Sequence, residues 1–278
     1  MLIFQHNAIF AKTISNCLMR EFKHCGPLHY SMVISSSPSN TDFSTGRYLD
    51  QQKIGNALQQ AVDFGASYAE VRLVSETGSS VNLRDGKLEN AIPGQEVGVT
   101  LRILADGAWG VHSTTDISSI SGQIESTVRL AKAVAMRRTS SDKPVQLAEV
   151  PIFQDEIHWH PKKDIRNTDL STKIDMLKAI ADSASDDEKI VSTTCGWADE
   201  HIHTELLTSE GMDRVWSFQR SLVRGMVTAR DESEVVSYRT RYGGEGGLEL
   251  IESCDLGQLG SDARIAALRL LKAKRAPS

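Results

Sequence analysis

His201 and His203, in "DEHIHTE", are the first residues whose type and spacing could do chemistry. Two positions apart on an extended segment, their imidazoles share a face and can take one zinc ion, with Glu200 or Glu205 beside them. Two such ligands leave a tetrahedral site half built, so the pair is an incomplete metal candidate. An alternating strand whose outward positions happen to be polar explains the same residues without a metal. His158 and His160, in "EIHWHP", repeat the spacing next to a proline that favours extended backbone, and read as surface histidines. A chain that was a zinc enzyme by itself would have to bring these histidines into a real zinc site.

No nucleophile announces itself. GxSxG is absent, and neither Cys195 in "TTCGW" nor Cys254 in "ESCDL" has a basic neighbour that would stabilise a thiolate, so both read as inert. The glycines of "RYGGEGGLEL" lack the lysine and hydroxyl residue of a phosphate loop. Gly243, Gly244, Glu245, Gly246 and Gly247 instead read as a loop that lets backbone pass close to another segment, and as a candidate substrate or interface loop. Trp109, Trp159, Trp197 and Trp216 sit in strand-like segments, where tryptophan usually serves a core or an interface. No catalytic residue is assigned.

The elements that must position these residues follow from periodicity. Leu49, Ile54, Leu58, Ala61, Val62 and Ala66 predict a helix over 48–64 that Gly65 can close. Period-two segments follow, "AEVRLVSE", "SSVNLRD", "KLENAI", "EVGVTLRIL" and "AWGVHST", punctuated by Thr77-Gly78, Asp85-Gly86, Pro93-Gly94 and Asp106-Gly107. Thr115 or Asp116 caps a second helix running to about 138. After an extended stretch with Pro144, Pro151 and Pro161, Asp169 caps a helix carrying Ile174, Leu177, Ile180 and Ala181. The strands "KIVSTTCGWAD", "HIHTELLTSEG", "DRVWSFQRSLVRGMVTAR" and "EVVSYRTRY" come next, the third able to bend or divide at Ser221. A last helix covers about 255–274, with Leu256, Leu259, Ile265, Leu268 and Leu271 as its apolar side.

Helix, antiparallel strands, helix is thus stated twice, and "NLRDGKLENA" corresponds roughly to "LLTSEGMDRV", which suggests an internal duplication with sub-units 45–140 and 165–278. Strands in runs with helices grouped outside them predict an α+β fold of antiparallel sheets with flanking helices. Residues 1–44, closing on "SSSPSNTDFSTG", have the composition of a disordered extension or linker. The 278 residues are 40% hydrophobic and 24% charged with a net charge of -5, which excludes the basic excess of a nucleic-acid binder. No apolar run is long enough for a bilayer span, and the four cysteines lack a CxxC pair, so a reduced, cytoplasmic protein is expected.

"GASYAEVRLVSETGSSVNLRDGKLENAIPGQEVGVTLRILADGAWG", a helix with "AKA", and "RYGGEGGLE" before a helix ending "LRLLKAKRAPS" together resemble the N-terminal domain of the TldD/PmbA family, once called modulators of DNA gyrase. The similarity covers about 45–278. It implies an α+β domain followed in the family by a β-rich C-terminal domain, whose active members are zinc metalloproteases acting on peptides and unfolded proteins. The family's zinc is held by HExxxH and a later cysteine of that C-terminal domain. None of the eight histidines here is followed by glutamate, and "KAKRAPS" matches the seam before the metal-binding half. The resemblance therefore implies a truncated or split protein, inactive alone, with no cofactor in this chain. Its implied partners are a related subunit in a homo- or hetero-dimer and a peptide or unfolded-protein substrate, with no nucleic acid and no membrane. The alternative is a non-catalytic PmbA-like binding subunit serving an active TldD-like protease.

Overall fold

The computed structural model describes residues 46–139, 143–232 and 234–273; the expected extension over 1–44 and the seam residues 274–278 lie outside the described residues. The first helix, α1 (Gln51–Asp63), starts where the Asp50 carboxylate accepts the Lys53 amide at 3.0 Å. It stops at Gly65, whose φ of +94° suits glycine. Its buried stripe is Ile54, Ala57, Leu58 and Ala61; the periodicity gives Ile54, Leu58 and Ala61 but not Ala57, and Val62, expected on the apolar side, is exposed.

Strands β1 (Tyr68–Arg84), β2 (Lys87–Ala105) and β3 (Ala108–Thr114) follow as a meander. Asp85-Gly86 and Asp106-Gly107 make its two turns, each with positive φ at both positions, as two-residue hairpins require. Thr77-Gly78 and Pro93-Gly94 do not turn; they lie opposite each other inside one continuous ladder, Gly78↔Gly94 and Ser79↔Pro93. Two local facts permit this. A side chain at Gly78 would place its Cβ 2.0 Å from the Asp199 carbonyl oxygen, so glycine there allows the backbones of β1 and the fifth strand to close up. Pro93 lies beyond the reach of β3, which pairs only with Val99–Ala105, so its missing N–H faces no partner strand.

Asp116 caps a 3-10 turn (Ile117–Gln123) that runs into α2 (Ile124–Met136). The proline-bearing connection then forms a strand the periodicity does not show, β4 (Gln154–His158), followed by the single turn Ile165–Asn167 and α3 (Leu170–Ala184). Strands β5 (Ile190–Thr208), β6 (Asp213–Asp231) and β7 (Glu234–Glu245) come next, then α4 (Leu248–Glu252) and α5 (Leu256–Leu271). The segments expected as two strands before Asp213 are the single strand β5. Nor does β6 divide at Ser221; its neighbour changes instead, from β4 along Asp213–Ser217 to β7 along Arg220–Asp231.

One sheet results, β3-β2-β1-β5-β6 with β4 and β7 sharing the far side of β6; β4 pairs in parallel and every other pair is antiparallel. This is an α+β fold. Because directly paired residues share a face, the odd-numbered core residues of the long strands, Val71, Leu73, Val81, Leu83, Cys195, Trp197 and Val223, all point one way. The apolar clusters built with α1, α2, α3 and α5 all lie on that side. The opposite face carries no core-packing helix among the described residues. In α5 the buried stripe is Leu256, Gly260, Ala263 and Ala267, while Ile265 is exposed. Small residues occupy that stripe because a Cβ on Gly260 would come within 2.3 Å of the Ile180 carbonyl oxygen of α3.

Candidate functional site

On the helix-bearing face, a belt of polar side chains crosses the middle of β5 between two apolar clusters. His203 and Glu205 stand two apart on β5. The His203 Nε2 is 3.0 Å from a Glu205 carboxylate oxygen, and that carboxylate is fully buried. Its remaining valences are used by the chain entering α1, since the Tyr48 amide donates at 2.5 Å and the Leu49 amide at 3.1 Å. Burying an ionised carboxylate is costly without such donors, which explains why Glu205 holds the start of the fold in place.

One histidine from each pair meets the other, His158 of β4 and His203 of β5. Strand β4 sets His158 against β6, with its Nδ1 2.9 Å from the Ser217 hydroxyl. Its ring stacks on His203, centroids 6.4 Å apart, and His203 itself is buried. His160 is exposed, 6.4 Å from His158. Arg47 closes this end by bridging Glu156 at 2.9 Å and Asp213 at 2.5 Å, and it holds the Glu156 carboxyl below the usual range.

His201 is directed to the same face but stands apart, opposite Gln219. Burial, and then the Arg166 charge, push it down to about 4, so it is neutral near pH 7. Asp164 is raised by burial, yet hydrogen bonds from Arg166 and Gln219 outweigh that and bring it to about 2. Among the described residues no three His, Cys, Asp or Glu side chains converge on a point that would hold a metal. The described residues therefore do not complete a zinc site: Glu205 is committed to His203 and to the Tyr48 and Leu49 amides, and His201 brings no third donor.

The glycine loop ends under this belt. Gly246 and Gly247 are buried; the Gly246 amide donates to the Gln219 carbonyl and Ser221 Oγ donates to both glycine carbonyls. A Cβ on Gly247 would lie 2.1 Å from the Lys163 carbonyl oxygen, so this is the close backbone passage that the sequence suggests. Gly243, Gly244 and Glu245 are exposed at the end of β7. Cys195 is buried and its thiol is pushed up to about 11 by that burial, while Cys254 is raised the same way. Neither thiol has an activating base among the described residues.

Sequence reasoning missed Lys173 of α3, which is buried. Its Nζ lies 2.6 Å from Asp199 Oδ2 and 2.9 Å from Ser79 Oγ. Asp199 also accepts the Ser79 amide and hydroxyl and the Trp197 indole N–H. The signal was present: Lys173 sits one turn before Leu177 on the stripe that Ile180 continues.

The helix-free face is a broad wall. Ile202, Leu206, Trp216 and Phe218 form an apolar band on it, the first two nearly solvent-free. Ion pairs border that band, Arg220 with Glu200 at 2.6 Å and Arg214 with Asp155 at 2.6 Å, and the Arg214 guanidinium lies 4.1 Å over the Phe153 ring. At the far corner Arg102 pairs with Glu70 at 2.9 Å and stacks over Trp109 at 4.3 Å.

Comparison with known proteins places this architecture. Residues 69–135 match the PmbA/TldA metallopeptidase domain 1, and residues 163–271 match the PmbA/TldA metallopeptidase central domain. A metalloprotease of Methanothermobacter thermautotrophicus is 27% identical over 230 residues, covering 83% of this chain and 49% of that protein. A metalloprotease of Methanocaldococcus jannaschii is 26% identical over 221 residues, 79% of this chain and 48% of that one. The chain thus spans about half the length of the curated relatives it matches. The same fold is seen in a Bacteroides thetaiotaomicron protein solved as a candidate modulator of DNA gyrase (TM-score 0.63, 22% identity, 82% of this chain and 52% of that one). It is seen again in TldE from Thermococcus kodakarensis (TM-score 0.56, 16% identity, 78% and 47%). With both matched segments laid out in order on one sheet, the chain belongs to the TldD/PmbA family.

Proposed function

We propose that residues 47–273 form the substrate-enclosing and subunit-pairing wall of a TldD/PmbA-type metallopeptidase, and that the hydrolytic metal is held by residues other than these. The observation that carries this reading is the helix-free face, where strands of 17 and 19 residues spread an apolar band edged by ion pairs. Such a face can take an extended polypeptide through apolar contact, and an open edge of the same sheet can add main-chain hydrogen bonds with little sequence demand. The matched metallopeptidase domains and the metalloprotease relatives support hydrolysis as the activity of the assembled enzyme.

Hydrolysis needs a metal-bound water with a base beside it, and the belt around His203 provides no such donor set. The wall's part is to hold the peptide extended and to exclude bulk water. The test measures zinc content and cleavage of an unfolded protein by the purified chain, alone and after mixing with a TldD relative. Cleavage only in the mixture, lowered by Trp216→Ala, is expected. One zinc per chain together with cleavage by this chain alone overturns the proposal.

A further inference from the structure

The helix-free face carries a second feature, at the end away from the histidines. Across its strands the register reads Asn82, Gly196, Arg224, Arg241 in one row and Arg84, Thr194, Met226, Arg239 in the next. Arg224 and Arg241 are therefore paired on adjacent strands, but the Arg224 side chain runs away from β7, over Gly196 to Asn82, which leaves Arg241 and Arg239 as the cations beside β7. Arg84 is neutralised by Glu89 at 2.5 Å, and among the described residues Arg224 has the amide oxygen of Asn82 at 3.2 Å as its one hydrogen-bond partner. Arg239 and Arg241 are exposed and have no hydrogen-bond or carboxylate partner among the described residues. Of the carboxylates on this hairpin, Asp231 binds Lys189 and Glu234 faces the helices, while Glu245 shares the face of the arginines but stands four residues beyond Arg241, opposite Arg220. This excess of cations arises in a chain of net charge -5, so it does not reflect general basicity.

Beside these arginines lies an open edge. β7 is hydrogen-bonded to β6 alone, so its outer row of N–H and C=O groups has no strand partner among the described residues. Arg239 and Arg241 are two residues apart on one face, hence about 6.6–6.8 Å apart along the strand. Alternate side chains of any extended peptide repeat at that same interval. We propose that an extended acidic peptide segment adds to the outer edge of β7, with carboxylates at alternate positions meeting Arg239 and Arg241. This goes beyond the enclosing role: it needs no metal and is independent of hydrolysis. A polynucleotide satisfies the charge but leaves the strand edge unpaired.

The probe is a fluorescein-labelled peptide of alternating glutamate and valine, titrated with the whole chain and followed by fluorescence anisotropy. Its controls are the glutamine–valine analogue, a version N-methylated at the alternate amides that meet the edge, and labelled oligothymidylate. The glutamate peptide should bind, more weakly as salt is raised, and both control peptides should bind less well. Arg239→Gln with Arg241→Gln should weaken it about fivefold or more. Arg241→Gln alone should melt at about the wild-type temperature, because the exposed guanidinium has no partner among the described residues; a merely structural arginine would lower it. Equal binding of the glutamine peptide, unchanged affinity in the double variant, or tighter binding of oligothymidylate would each overturn the proposal.

Discussion

Replacing Lys173 by methionine keeps the aliphatic stem and removes the ammonium from a site where the lysine and Asp199 side chains are 4% and 3% exposed. The Asp199 carboxylate is then buried with its counter-ion gone. Losing one partner of a buried pair costs about 3–5 kcal/mol, far more than the pair itself contributes. Three donors remain, the Ser79 amide and hydroxyl and the Trp197 indole, which argues for the lower end of that range. Similar side-chain volume keeps the packing cost small. Lys173→Met should therefore lose about 3 kcal/mol, or about 6–12 °C in melting temperature for a chain of this size. Denaturant unfolding followed by circular dichroism measures it. Asp199→Asn and the double variant complete a cycle in which the double loss falls short of the sum by at least about 1 kcal/mol. A Lys173→Met loss under about 1 kcal/mol, or strict additivity, would refute the claim that this pair is an isolated buried charge couple.

His201 has a folded-state value of about 4 against about 6.5 when unfolded, so between these values the unfolded chain binds a proton that the folded chain refuses. Stability must fall as pH drops through that window; with solvent screening of the partly exposed ring the loss is about 1–2 kcal/mol. His201→Gln should remove that part of the fall, and denaturant midpoints at about pH 7 and about pH 4 compare the two proteins; equal losses would show the imidazole is not responsible. Gly260→Ala improves helix propensity, yet its Cβ would meet the Ile180 carbonyl oxygen at 2.3 Å, so a net loss of about 1–3 kcal/mol is expected in thermal unfolding. A more stable variant would mean that α3 and α5 separate freely.

What the sequence made legible was local. Asp50 and Gly65 delimit α1 because a cap and a stop act within a few residues, and the Asp-Gly turns act through their own dihedral angles. What escaped it was set by partners distant in the chain. Gly78 looks like a turn residue until the Asp199 backbone is brought beside it. Gly260, Ala263 and Ala267 carry too little apolar surface to register as a stripe, and only the approach of α3 makes small size the requirement. The meeting of His158 and His203 depends on the parallel pairing of β4 with β6, for which no short-range pattern exists. The incomplete metal pair was readable as a pair. That Glu205 would spend its carboxylate on Tyr48 and Leu49 was not.

The seam between β1 and β5 runs unbroken from Glu70↔Thr208 to Arg84↔Thr194, and it joins the two segments that correspond to separate family domains. Neither half can bury its inner strand without the other, because the strand completing each one is supplied across this seam. A backbone nick between Val145 and Phe153 should therefore yield two pieces that reassemble on mixing and fail to fold apart. Gene fusion or fission at that point would be tolerated only where both pieces are made together.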